Sequence, residues 1–66
     1  MIEAKVLAVD QQTVSLEIPG ELIFQSEYDL NGRNAPIQPG KVIVFKFLKQ
    51  DRPLKIQVLQ ICDPPS

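Results

Sequence analysis

The sequence contains no histidine and no tryptophan, has a single cysteine, and carries a formal net charge of only −1. Each absence removes a class of function. Without histidine the chain lacks the side chain that most often serves as general base or metal ligand at neutral pH. Ser15, Ser26 and Ser66 therefore have no imidazole to activate them as nucleophiles. Cys62 cannot form an intrachain disulfide, and with no second thiol or imidazole the ligand set for structural zinc is incomplete. Cys62 is read as a small apolar residue ending the last strand, with a redox role as the alternative. No apolar run approaches the roughly 20 residues that span a bilayer. Glu3 and Lys5 interrupt the start, where a secretory signal would need an apolar core. These features predict a soluble, cytoplasmic, non-enzymatic protein with no cofactor, no metal and no membrane partner.

Two further chemical possibilities are weak. Glu27 and Asp29 lie two residues apart, but a calcium loop needs more oxygen ligands at set spacing, so they are read as solvated acids. Gly20, Gly32 and Gly40 stand alone, with no phosphate-cradling motif around them.

What the chain does have is period-two patterning. A chain of 66 residues makes one small domain, which buries only about 60% of its unfolded surface, so nearly every large apolar side chain is needed for the core. Thr13-Val14-Ser15-Leu16-Glu17-Ile18 alternates without a break, with Val14, Leu16 and Ile18 facing inward. Ile2 to Val9 sets Glu3 and Lys5 against Ile2, Ala4 and Val6, and the short Asp10-Gln11-Gln12 link makes an antiparallel hairpin of the two segments. Pro19-Gly20 predicts a type II turn, since proline presets the first central dihedral and glycine accepts the positive φ at the second. A brief third strand, Glu21 to Gln25, follows. Ser26 to Gly40 is then read as a long connection, with one helical turn over Ser26–Leu30 capped by Ser26 and ending at Asn31-Gly32. Lys41 to Leu48 is apolar on both faces, as a central strand should be. Leu54 to Ile61 changes phase after Val58, which predicts a bulge there. The barrel domain is placed at 1–62 and a C-terminal tail at 63–66, where Pro64 and Pro65 cannot donate to a ladder.

Five strands in so short a chain favour an all-β, five-stranded antiparallel barrel, which hides its edges. The long gap between the third and fourth strands favours the oligonucleotide/oligosaccharide-binding (OB) layout over the alternative, a Src-homology-three-like barrel. In Ala4 to Val9, Val14 to Ile18, Leu22 to Ser26, Ile37 to Phe45 and Arg52 to Val58 the chain resembles small OB-fold proteins of the cold-shock and translation-initiation-factor-one type. The resemblance implies nucleic-acid binding across the second and third strands. Members of the cold-shock family place aromatics there, and a stacked base is worth about 1–3 kcal/mol. Here the corresponding outward positions are Thr13, Ser15, Ile23 and Gln25, so the stacking platform does not carry over.

Charge supplies the remaining candidates. Residues 1–32 carry six acids against Lys5, whereas residues 33–66 carry six bases against Asp51 and Asp63. Arg33, Lys46, Lys49, Arg52 and Lys55 are therefore candidate contacts for single-stranded nucleic acid or RNA, by charge rather than stacking. The competing expectation is that these bases pair with acids of the first three strands across the sheet, for little energy. The alternative function is a protein-interaction subunit or self-associating dimer. It would dock through the fourth strand and long connection, with Ile23, Tyr28 and one of Phe45 or Phe47 left outside the core.

Overall fold

The computed structural model describes residues 1–32 and 36–64. It has five strands: β1 (Ile2–Val9), β2 (Thr13–Ile18), β3 (Leu22–Asp29), β4 (Val42–Lys49) and β5 (Lys55–Cys62). They close into a barrel in the order β1-β2-β3-β5-β4, consistent with the OB-like layout. Four junctions are antiparallel and the β3–β5 junction is parallel. The barrel is thus mixed rather than wholly antiparallel, and the reason is arithmetic. A ring with an odd number of strands cannot reverse direction at every step.

Two Pro-Gly turns use the same local chemistry. Glu21 N–H donates to the Ile18 carbonyl at 3.0 Å across Pro19-Gly20, and Lys41 N–H donates to the Gln38 carbonyl at 3.2 Å across Pro39-Gly40. Gly20 and Gly40 have φ of +75° and +92°, the sign a type II turn requires at its second central residue. The second turn delivers the chain to β1: Gly40 N–H donates to the Val6 carbonyl, and Val6 N–H to the Lys41 carbonyl, both at 2.8 Å. β4 therefore begins already registered against β1.

The third strand is longer than its expected five residues. In place of the expected helical turn over Ser26–Leu30, β3 runs on to Asp29. Capping propensity at Ser26 is local and weak, whereas the ladder offers partners on two sides. Val14 and Thr13 oppose Ser26 and Glu27 from β2, and Lys55 to Gln57 oppose Glu27 to Asp29 from β5. Ser26 is 2% exposed, and its hydroxyl donates to the Glu27 carbonyl at 2.8 Å. The chain leaves the strand where Asp29 Oδ1 accepts the Asn31 N–H at 2.9 Å and Asn31 adopts φ +56°.

The core is Ala4, Val6, Val14, Leu16, Ile37, Ile43, Phe45, Ile56 and Val58, with Ile2, Val9, Ile18, Phe24, Tyr28, Leu30, Phe47 and Ile61 packed against it. Every strand contributes. Ile37, from the connection, covers an end of the barrel that the strands leave open. Register shifts fall at three places, each adding one extra leucine to a strand: Leu7 between the Val6–Leu16 and Ala8–Ser15 pairs, Leu48 between Phe47–Ile56 and Lys49–Lys55, and Leu59 between Val44–Gln60 and Phe45–Val58. The extra residue at Leu59 is the expected bulge beside Val58. Such insertions bend and twist a strand, which a tight five-strand ring needs.

Candidate functional site

All three phenylalanines are spent inside the barrel. Phe45 and Phe47 meet edge-on with ring centroids 5.5 Å apart, and Phe24 lies 6.1 Å from each. Phe45 is 0% exposed. It therefore cannot belong to a docking surface, correcting its place among the interaction candidates. Inward alternation from Ile43 and the need to fill the centre of a small barrel put it there. Phe47 and Tyr28 are half-buried and packed against the core. Of the four apolar candidates only Ile23 stands clear, at 65% exposed, and Leu22 beside it is 49% exposed.

The interior aromatics leave the outer face of β2 and β3 polar. Gln25 Nε2 donates to Thr13 Oγ1 at 3.1 Å, and Ser15 lies opposite Gln25. A groove of about 640 Å³ opens at this face. It is lined by Thr13 of β2, Phe24 to Glu27 of β3, and Arg52, Pro53 and Leu54 of the β4–β5 loop. A second groove of about 380 Å³ lies between the β1–β2 loop and the end of β3, with Gln11, Gln12, Glu27, Tyr28 and Lys55 among its walls. Glu27 belongs to both, so the two grooves meet at the mouth framed by the first and last loops.

The fold sets one base of the second half against an acid of the first: Lys55 lies opposite Glu27 across the parallel junction. Lys5 lies opposite Glu17 within the first half, and Lys46 faces the neutral Gln57. Lys41 is ion-paired with Asp63, whose carboxyl is held below the usual carboxylate range first by the hydrogen bond and then by the charge of that ammonium. Lys49 opposes Lys55, and both are exposed. Arg52 lies in the loop that joins their strands and lines the larger groove. The fold thus brings Lys49, Arg52 and Lys55 to one end, sets Lys46 further along β4, and forms no continuous basic face. Arg33 lies outside the described residues.

Among the described residues no group of three or more acidic, thiol or imidazole side chains is placed to hold a metal ion, and no helix is long and apolar enough to cross a membrane. Asp29, one of the two paired acids, is engaged with the Asn31 backbone.

The sequence reading missed the open edge of β3. Pairing with β5 covers only Glu27 to Asp29, so among the described residues Leu22 to Ser26 have β2 as their only partner strand. Its signal was in the pattern: Phe24, Ser26 and Tyr28 alternate with Gln25, Glu27 and Asp29, which already marks one strand running the full length. No family model, no curated protein and no solved structure matches this chain. The architecture and the residues at its mouth are the basis for a functional reading.

Proposed function

We propose that this barrel is a non-enzymatic binding module that takes single-stranded nucleic acid weakly at the mouth between its first and last loops. The observation that carries the reading is that Lys49 and Lys55 oppose each other at the base of the β4–β5 loop, whose Arg52 lines the 640 Å³ groove together with Thr13, Phe24, Gln25 and Glu27. These bases would hold phosphates, with Lys46 a separate, more distant contact on β4. With no outward aromatic, base stacking contributes nothing, and Glu27 beside Lys55 reduces the local positive potential. Affinity is therefore low and mainly electrostatic.

Titration of a labelled single-stranded oligonucleotide at several salt concentrations tests this. With three or four phosphates neutralised, log K should fall against log salt with a slope of about −2 to −3. Lys49→Glu or Arg52→Glu should weaken binding further and reduce the slope. Absence of binding at low salt would defeat the reading. A second reading, protein recognition, is supported by a different observation: the exposed Leu22 and Ile23 sit on a strand edge with no partner strand among the described residues.

A further inference from the structure

Backbone direction along β3 can be followed residue by residue. Glu27 N–H donates to the Leu54 carbonyl at 2.9 Å, so the amide of Glu27 points away from β2. Backbone groups in a strand alternate sides, and the β2–β3 ladder runs without a register shift. The N–H and C=O of Gln25 and Ile23 therefore point the same way as those of Glu27. There no strand is alongside among the described residues: β5 pairs with β3 only over Glu27 to Asp29, and the Arg52–Leu54 segment before it stands across the 640 Å³ groove from Phe24 and Gln25.

Soluble proteins usually guard such an edge with lysine, proline, a bulge or a covering segment. Leu22-Ile23-Phe24-Gln25 has no charge, no proline and no bulge, and its two most exposed side chains are apolar. The charges lie at its two ends and are of opposite sign. Glu21 precedes it, and Arg52 lines the groove alongside Phe24, Gln25 and Ser26. Glu17, across from Ile23 on β2, is itself opposite Lys5.

We infer that a second copy of this chain pairs with that edge, antiparallel, about a two-fold axis at Ile23. Each Ile23 then exchanges backbone hydrogen bonds with the other. Gln25 N–H of each copy reaches the Glu21 carbonyl of its mate, giving about four new backbone bonds in all. The Glu21 amide is already committed to Ile18 and is not needed. Outside the barrel Ile23 packs on Ile23, and on the inner side Leu22 meets Phe24 of the other copy. The antiparallel sense brings Glu21 of each copy towards Gln25, and so towards the Arg52 beside it, in the other. The contact is self-complementary, as a closed two-fold dimer requires. Sliding the register by one hydrogen-bonded step sets Glu21 against Glu27 instead, and like charges directly opposite disfavour it.

Sedimentation equilibrium of the full chain tests the pairing without any nucleic acid present. A monomer–dimer equilibrium is expected. Ile23→Lys should raise the dissociation constant by at least about tenfold. Its far-ultraviolet circular dichroism should be unchanged, because the side chain is 65% exposed. Glu21→Arg and Arg52→Glu should each weaken the dimer, and the double exchange should restore it. Glu21→Arg should not weaken oligonucleotide binding, which separates this dimer from the reading of the mouth. A chain that stays monomeric up to about 1 mM, or a dimer indifferent to all these changes, overturns the proposal.

Discussion

β3 and β4 are both eight residues long and both begin with exposed or half-buried apolar residues, yet they end in opposite situations. β4 is bonded on one side to β1 over Val42–Phe45 and on the other to β5 along its whole length. The first half of β3 has β2 as its only partner strand among the described residues. Apolarity on both faces of a strand therefore does not identify an interaction surface. In β4 it reflects a position where Ile43 and Phe45 fill the core while Val42 and Val44 stay half-covered on the other face. In β3 the smaller apolar pair, Leu22 and Ile23, is exposed at the end that the short parallel junction with β5, over Glu27 to Asp29, does not reach.

Truncation at the two strands should break the symmetry most sharply. Phe45→Ala removes a wholly buried ring that contacts two others. The expected loss is about 3–5 kcal/mol, enough to unfold a domain of this size, as urea or thermal melts would show. Ile23→Ala at a 65% exposed site should cost no more than about 0.5 kcal/mol. Comparable losses at the two sites would mean that the β3 edge is covered.

Proline substitution sharpens the same contrast at the backbone. Val44 is paired with Glu3 on one side and Gln60 on the other, so Val44→Pro loses a ladder bond whichever way its amide points. It should destabilise by about 3 kcal/mol or more. Gln25→Pro removes an N–H directed off the open edge and an exposed side-chain hydrogen bond to Thr13, and proline is tolerated at such edge positions. Its melt should move little, while any self-association should disappear.

The smallest effect lies at the closed flank, where Lys41 before β4 is paired with Asp63 after β5. The carboxyl titrates lower in the folded chain than in the unfolded one. Its contribution is therefore complete above about pH 4 and is lost as the pH falls through the folded value. Asp63→Asn should lower the urea midpoint slightly at neutral pH, and the difference from wild type should vanish in acid.

Strand positions, the β1–β2 hairpin, the Pro19-Gly20 turn and the phase change after Val58 were legible because each is written in local alternation or turn chemistry. The reach of β3 to Asp29 was not, because Ser26 looks like a cap to its neighbours and like a core residue only to β2 and β5. The opposition of Lys55 to Glu27 was equally hidden. It depends on a junction between strands with 25 residues or more of chain between them, and no short-range pattern encodes such a register. Burial of Phe45 follows from its in-phase position with Ile43, a parity that was visible although its depth was not.

The three leucines at the register shifts decide more than curvature. Inward positions on β4 run Ile43, Phe45, Phe47, so strict alternation would send Lys49 into the barrel; the extra Leu48 resets the count and turns Lys49 out against Lys55. Leu7 does the same for Val9, and Leu59 for Ile61. Deleting any one of them would straighten its strand and leave its neighbours facing as they do now, because Val6 and Ala8, Phe47 and Lys49, and Val58 and Gln60 already alternate across it. Loss of an ordinary ladder residue is the true frameshift in space, exchanging wet and dry side chains over the remainder of its strand, so these strands can shed a bulge but not a paired position.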